Sequence, residues 1–392
     1  MTLLANPRSS EFNTCSDMAI TVGGLVEGGV FCHDMGDVVL MYANGEVTVK
    51  FSVTDAAGVK VSEFEEQYYP NANSEIHISG LSEVMECYLQ GESVTDLFAP
   101  DSNYKDVGGF ATLSMEIYES GKLVNTCAQM FFQANSRTGL FPAAYKYFLS
   151  RFREREVFTD QLLTCAYIFR GQTLKCGIAW ADEEDKMCYK EVVLATSGVQ
   201  NGHIVMHQYK PSDIANRAGV TAEQLLYITL MLMDGTQRID YMKMVYDSRK
   251  HKERTGFAFK NLFGVLEHII FTGKNKHTAD LEGSYSWIGR KYRKMHTDLT
   301  SSHTVCSGWI DQDTHDSVKD AIRSDEVYIV DELKLGDMVT ITGIDLEYNR
   351  PSDKPVSAAI TYRVSDKIQE RFTRARQMGT RIFDDSFDKT FE

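Results

Sequence analysis

The residues able to do chemistry are scattered along the chain, and their spacing limits what they can do. His203 and His207 stand four apart in the segment HIVMHQY. On a helix that spacing aligns two imidazoles, as in zinc proteases, but Ile204 occupies the place of the general-base glutamate and the segment alternates like a strand. The expectation is a polar pair on the wet side of a strand. His296, His303, Cys306 and His315, with Asp298 nearby, are metal-ligand types, yet they lack the two close ligand pairs of a structural zinc site. The acids Asp182 to Asp185 (DEED) separate two strand-like runs and read as a solvated turn, with a calcium site the main alternative. No GxSxG elbow, Walker loop or strand-to-helix GxGxxG occurs. No catalytic residue, metal or cofactor is therefore expected, although a triad assembled in space leaves no mark of this kind.

Positive charge is concentrated in RKHKER (Arg249 to Arg254) and RKYRK (Arg290 to Lys294), the latter interleaved with Tyr292 and close to Trp287. Such patches can hold phosphates or stack bases. Against that, 41 Lys plus Arg face 55 Asp plus Glu, and a net charge of -14 opposes adhesion to nucleic acid or to an anionic membrane. Arg290, Lys291 and Arg293 then read as a solvated face or as one side of an acidic-basic interface between subunits. Phe383, Phe387 and Phe391 recur every four residues among Asp384, Asp385, Asp388 and Glu392. On a helix they form an apolar stripe flanked by acids, suited to a groove on another chain or to folding back on their own domain. Trp180, Trp287 and Trp309 are natural platforms for a sugar ring, but core positions are the ordinary expectation.

The elements that must position these residues are mostly strands. With 392 residues, 43% of them hydrophobic, the chain can build two or three cores. The eight cysteines form no CxxC pair, and most are expected as buried thiols. No signal sequence is visible, and the apolar run Leu225 to Met233 is about half of the roughly 20 residues a membrane-spanning helix needs. The expectation is a protein made and kept in the cytoplasm, or leaving it only by lysis or inside a larger particle.

The fold class expected is mainly β with minor α: two or three β-sandwich-like domains joined by short helices. Residues 1–15 read as a flexible arm, 16–140 as a β-sandwich, 141–235 as a mixed β/α region, 236–370 as a β-rich domain and 371–392 as a polar tail. Hairpin turns are expected at Asn44-Gly45 and Ser120-Gly121. Helices are expected near Leu81 to Tyr88, over Ala143 to Arg155 as a connector, over Ser212 to Ala218, from Thr221 with Gln224 completing a capping box, and over Asp311 to Arg323.

From about Tyr285 to Ser365, the SGWI step at Ser307 to Ile310, a helix, the strand SDEVYIVD, then DMVTITGIDLEYNR and AAITYRVSD resemble the terminal region of structural tail or baseplate proteins of tailed phages infecting gut anaerobes. The resemblance implies a non-enzymatic virion component, a homo-oligomer that closes a ring and contacts other tail proteins. It defines no functional residue. The alternatives are a carbohydrate-binding module or an enzyme acting on cell-envelope glycans.

Overall fold

The computed structural model describes residues 20–364 except 90, 140–145, 195–197, 248, 250, 289–290 and 347–355; over 280–285, 287–288 and 292–300 the backbone alone is described. The flexible arm expected over 1–15 and the tail expected over 371–392 lie outside these residues. The chain is mainly β, as expected, and divides into two compact units, one of residues 1–89 and 110–132, the other of 90–109 and 133–392.

The first unit is sandwich-like. Strands β1 (Thr21–Gly23), β3 (Val38–Met41) and β6 (Glu75–Ile78) form one sheet in the order β1-β3-β6. The second runs β2-β9-β8-β4-β5, from β2 (Val30–Phe31), β4 (Val47–Asp55), β5 (Lys60–Tyr68), β8 (Phe110–Glu119) and β9 (Lys122–Phe132). Along β4, Val47, Val49, Phe51 and Val53 are buried while the residues between them are half-exposed, the period-2 pattern that fixes one face of a strand to a core. Helix α1 (Leu81–Glu86) buries Leu81 and Met85 against the same core. Ser120-Gly121 closes the β8–β9 hairpin, both residues having positive φ as a type I′ turn requires. Asn44-Gly45 does not close one. β3 pairs with β1 and β6, β4 pairs with β5 and β8, and the segment between them carries the chain from one sheet to the other.

The described residues of the second unit form three sheets. Strands β7 (Tyr104–Gly108), β11 (Leu163–Ile168) and β14 (Ile204–Tyr209) pair as β11-β14-β7. Strands β10 (Glu154–Val157), β12 (Thr173–Ala181), β13 (Met187–Leu194), β15 (Leu225–Asp234) and β16 (Gln237–Tyr246) pair as β10-β16-β15-β12-β13. The largest sheet, β18-β17-β21-β22-β23-β20-β19, is built from β17 (Thr255–Lys260), β18 (Leu266–Phe271), β19 (Asn275–Ile288), β20 (Lys291–Cys306), β21 (Val327–Asp331), β22 (Lys334–Leu346) and β23 (Ala358–Val364). A single core runs from Phe148 through Leu230 to Tyr362. The boundary expected at 235/236 is therefore absent: Gly235 lies in the tight turn between β15 and β16, and apolar residues on both sides of it share one core.

Local signals were overridden at two expected helices. Thr221 and Gln224 do form their capping box, but the helix ends after one 3-10 turn at Ala222–Gln224, and the apolar run that follows is β15. Pairing with β12 on one side and β16 on the other satisfies its backbone, and from Leu230 to Met233 successive residues on both faces are buried, which reads as a continuous apolar run. The helix expected over Ala143 to Arg155 is absent from the described residues 146–155. Phe148, Leu149 and Phe152 are buried at helix-like spacing, but the Phe148 amide donates to Asp240 (2.8 Å), the Leu149 amide to the Ala166 carbonyl (2.8 Å), and Arg155 belongs to β10.

Three α-helices lie among the described residues of the second unit. They are α2 (Val94–Leu97), α3 (Pro211–Ala218), which starts on Pro211 and ends on the left-handed Gly219, and α4 (Gln312–Arg323). Helix α4 packs against β10 and β17 through a face that includes Val318 and Ala321. Asp311 caps it, accepting from the Thr314 amide at 2.7 Å and the Thr314 hydroxyl at 2.9 Å. The Asp311→Ala variant is expected to lose about 1 kcal/mol of stability, measured as a lower urea midpoint at unchanged slope.

Candidate functional site

The most distinctive feature of the second unit is a long antiparallel ribbon. β19 and β20 are in register from Asn275↔Val305 to Ile288↔Lys291, with one bulge at Ser284/Tyr285. β20 meets a second neighbour, β23, only over His303 to Cys306, and β19 is the edge of its sheet. From Thr278↔Ser302 to the turn, the ribbon pairs with no other strand among the described residues. At about 3.4 Å per residue it extends roughly 34 Å.

The base of the ribbon is anchored by rings. His303 stacks on Tyr362 at 5.3 Å and lies 4.5 Å from His277, while Tyr362 meets Phe257 edge-on at 5.6 Å. Thr304 and Thr361 share a hydrogen bond of 2.9 Å. Toward the turn the register sets Trp287 opposite Tyr292, Ser286 opposite Arg293 and Ile288 opposite Lys291, which is exposed. Two of the candidate interaction residues, Lys291 and Arg293, thus occupy the end of the ribbon. Arg290, Phe383, Phe387 and Phe391 lie outside the described residues.

The other basic run has a different surrounding. At the end of β16, the Asp247 side chain is only 4% exposed, and Arg249 and His251 of the RKHKER segment reach it. The Arg249 Nε donates to both carboxylate oxygens at 2.8 and 3.0 Å, the Arg249 amide donates at 2.8 Å, and His251 Nε2 lies 2.9 Å away. Burial works to raise the Asp247 carboxyl, but these hydrogen bonds outweigh it and hold the group well below the usual carboxylate range. Arg254 donates to Asp160 at 2.8 Å and stacks over Phe158. Acidic partners within the chain thus account for much of this basic stretch. Asp247, Arg249, His251 and Arg254, with Thr159, Ala222, Glu223, Leu225 and Tyr246, line a cavity of about 480 Å³. The sequence reading missed Tyr246 and Asp247, although an acid directly ahead of a basic run was a visible signal.

The remaining candidates do not converge. His203, just ahead of β14, and His207 within it are both buried, not on a wet face; every residue of β14 is buried. His203 Nδ1 pairs with Asp106 at 2.8 Å. His207 stacks on Tyr167, its Nδ1 lies 2.9 Å from the Tyr209 hydroxyl, and burial lowers its pKa to about 4. His303 and Cys306 are on β20, whereas His315 is fully buried on α4. Among the described residues no group of three or more His, Cys, Asp or Glu is placed to hold a metal ion, and no helix is long and apolar enough to cross a membrane.

The acids at 182–185 do make an exposed turn, with Asp182 accepting from the Glu184 and Lys186 amides at 2.9 Å each. Of the tryptophans, Trp180 packs at the margin of the core, but Trp309 is 71% exposed, contrary to the expectation of a core position. Of the seven cysteines described, Cys32, Cys165 and Cys176 are buried, fewer than the majority expected; Cys127, Cys188 and Cys306 are half-buried and Cys87 is exposed.

The chain matches no protein-family model and no curated protein sequence.

Proposed function

We propose that this chain is an assembly protein, a structural component of a phage tail, baseplate or adaptor that works by joining copies of itself and neighbouring tail proteins. The observation that carries the assembly reading is the β19–β20 ribbon. A two-stranded ribbon of this length is marginally stable alone in water, and both of its edges present backbone N–H and C=O groups that pair with no other strand among the described residues. A neighbouring chain that adds a strand satisfies those groups, while the side chains between them select the partner. The virion part of the reading is supported by the phage-tail resemblance, which covers the distal ribbon and the strands β21 to β23 behind its base.

A closed, symmetric arrangement uses every such edge once and leaves none open. The test is light scattering over a concentration series, on the full chain and on a variant in which an Asn-Gly turn replaces residues 280–300, joining the paired residues Ala279 and Ser301. The expected result is a defined ring for the full chain and a monomer with an unchanged melting midpoint for the variant. Equal masses for the two proteins, or a monomeric full chain at every concentration, would sink the proposal.

A further inference from the structure

The five-stranded sheet of the second unit ends on β13, and the outer edge of that strand pairs with no other strand among the described residues. Natural sheets blunt an open edge with charge, proline or a bulge, because an apolar one recruits another strand. β13 does the reverse. On its outward face Met187 is 60% exposed, Tyr189 49% and Val193 57%. Glu191, the one charged residue on that face, accepts from the Tyr189 hydroxyl at 3.3 Å. The Tyr189 ring lies across Gly177 of β12, where a β-carbon would collide with it, so the glycine lets the ring settle on the sheet at this edge.

Charge gives this edge a direction and an occupant. β13 follows the exposed turn of Glu183, Glu184 and Asp185, which Lys186 only partly offsets. Lys291, Arg293 and Lys294 stand at the start of β20, beside the turn of the ribbon. β19 is the outermost strand of its sheet, and its stretch beyond Thr278 is longer than the eight residues of β13. Laid antiparallel on β13, β19 brings the ribbon's turn to Met187 and its basic residues to the acidic turn; laid parallel, it carries them to Leu194 at the other end. Opposite charges so placed select both the alignment and the partner. We infer that β13 of one copy receives the β19 edge of a second copy's ribbon, which extends the five-stranded sheet across the junction with the basic tip against the acidic turn. The contact is head-to-tail, since different surfaces of the two copies meet, and such contacts close rings. This inference rests on the assembly reading and names the surface that receives the ribbon.

The test reverses each charge set in the full chain, Glu183→Lys with Glu184→Lys in one variant and Lys291→Glu with Arg293→Glu in the other. Either variant alone sets like charges against each other at every junction. Its half-assembly concentration, read by light scattering, is expected to rise about tenfold or more at an unchanged melting midpoint. In an equimolar mixture each tip meets a turn of opposite sign on the other protein, and assembly should return to within about threefold of the parent. Unchanged assembly of either variant, or no recovery in the mixture, overturns the inference. If the chain with Asn-Gly in place of residues 280–300 is then still monomeric, the assembly reading stands and the ribbon has a different receiver. A parent chain that is monomeric at every concentration removes both.

Discussion

Replacing Glu267 by alanine is expected to destabilise the second unit by about 3–5 kcal/mol. The residue is 4% exposed on β18, and its carboxylate accepts from the hydroxyls of Ser150 (2.8 Å) and Ser317 (2.7 Å) and from the Asn261 side-chain amide (3.0 Å). These donors come from three separate segments, and Ser317 reaches it from α4. Nearby, Arg155 is 3% exposed, and its guanidinium makes no hydrogen bond among the described residues, although it lies over the Phe152 ring at 4.3 Å. Burial pushes the Arg155 pKa down, and the negative charge of Glu267 is the largest influence opposing that.

Removing the carboxylate strips three donors of their acceptor and leaves a buried cation without its principal counter-charge. The Glu267→Gln variant keeps an acceptor oxygen but not the charge, and should fall between the parent and Glu267→Ala. Introducing Arg155→Met into the Glu267→Ala background should recover at least about 1 kcal/mol, because the uncompensated charge is then gone. Urea denaturation of the parent, Glu267→Ala, Arg155→Met and the double variant measures the cycle. Additive losses would show that the two charges do not support one another.

Acidification is expected to destabilise the fold well before most carboxylates titrate. His268 is 1% exposed, and burial, with the positive charge of Arg155 adding to it, lowers its pKa to about 3. Its Nδ1 accepts from the Leu162 amide at 2.9 Å, so the neutral ring carries its proton on Nε2. His207 is likewise neutral, with a pKa lowered to about 4 by burial. In the unfolded chain both rings take up a proton near pH 6.5, whereas in the folded protein they resist until far lower.

Above the unfolded pKa neither state binds the proton, and the stability is complete. As pH falls through about 6.5 the unfolded chain gains protons that the folded chain does not, so each histidine removes up to about 1.4 kcal/mol per pH unit until its folded pKa is reached. The loss runs down to about 4 for His207 and about 3 for His268. Urea midpoints measured from pH 7.5 to 4.5 should therefore decline steadily below 6.5, and the decline should be shallower in His207→Gln. A flat profile over that range would refute the buried neutral state of both rings.

The elements legible from sequence were those whose stabilising partner is local. Ser120-Gly121 adopts its turn because two positive φ angles suit those two residues, and α4 begins where Asp311 can cap it. The period-2 burial of β4 and the exposed turn at 182–185 belong to the same group. The expected helices at Thr221 and at Ala143 to Arg155 failed for the opposite reason. Their helical spacing was real, but β15 is paired on both sides by β12 and β16, and over the described residues 146–155 backbone amides go to Asp240, to the Ala166 carbonyl and into the β10–β16 pairing.

By itself the amino-acid sequence determined the mainly β class, the alternation that gives β4 its core face, several turns and caps, and the acidic balance that disfavours polyanionic partners. All of these follow from interactions within a few residues or from summed charge. Only the tertiary structure decided that residues from Phe148 to Tyr362 share one core, that Lys291 and Arg293 stand at the end of a two-stranded ribbon, and that Tyr246, Asp247 and Arg254 meet around a cavity. Those outcomes depend on which strand pairs with which across long separations, and burial then sets the electrostatics of every group enclosed by that pairing.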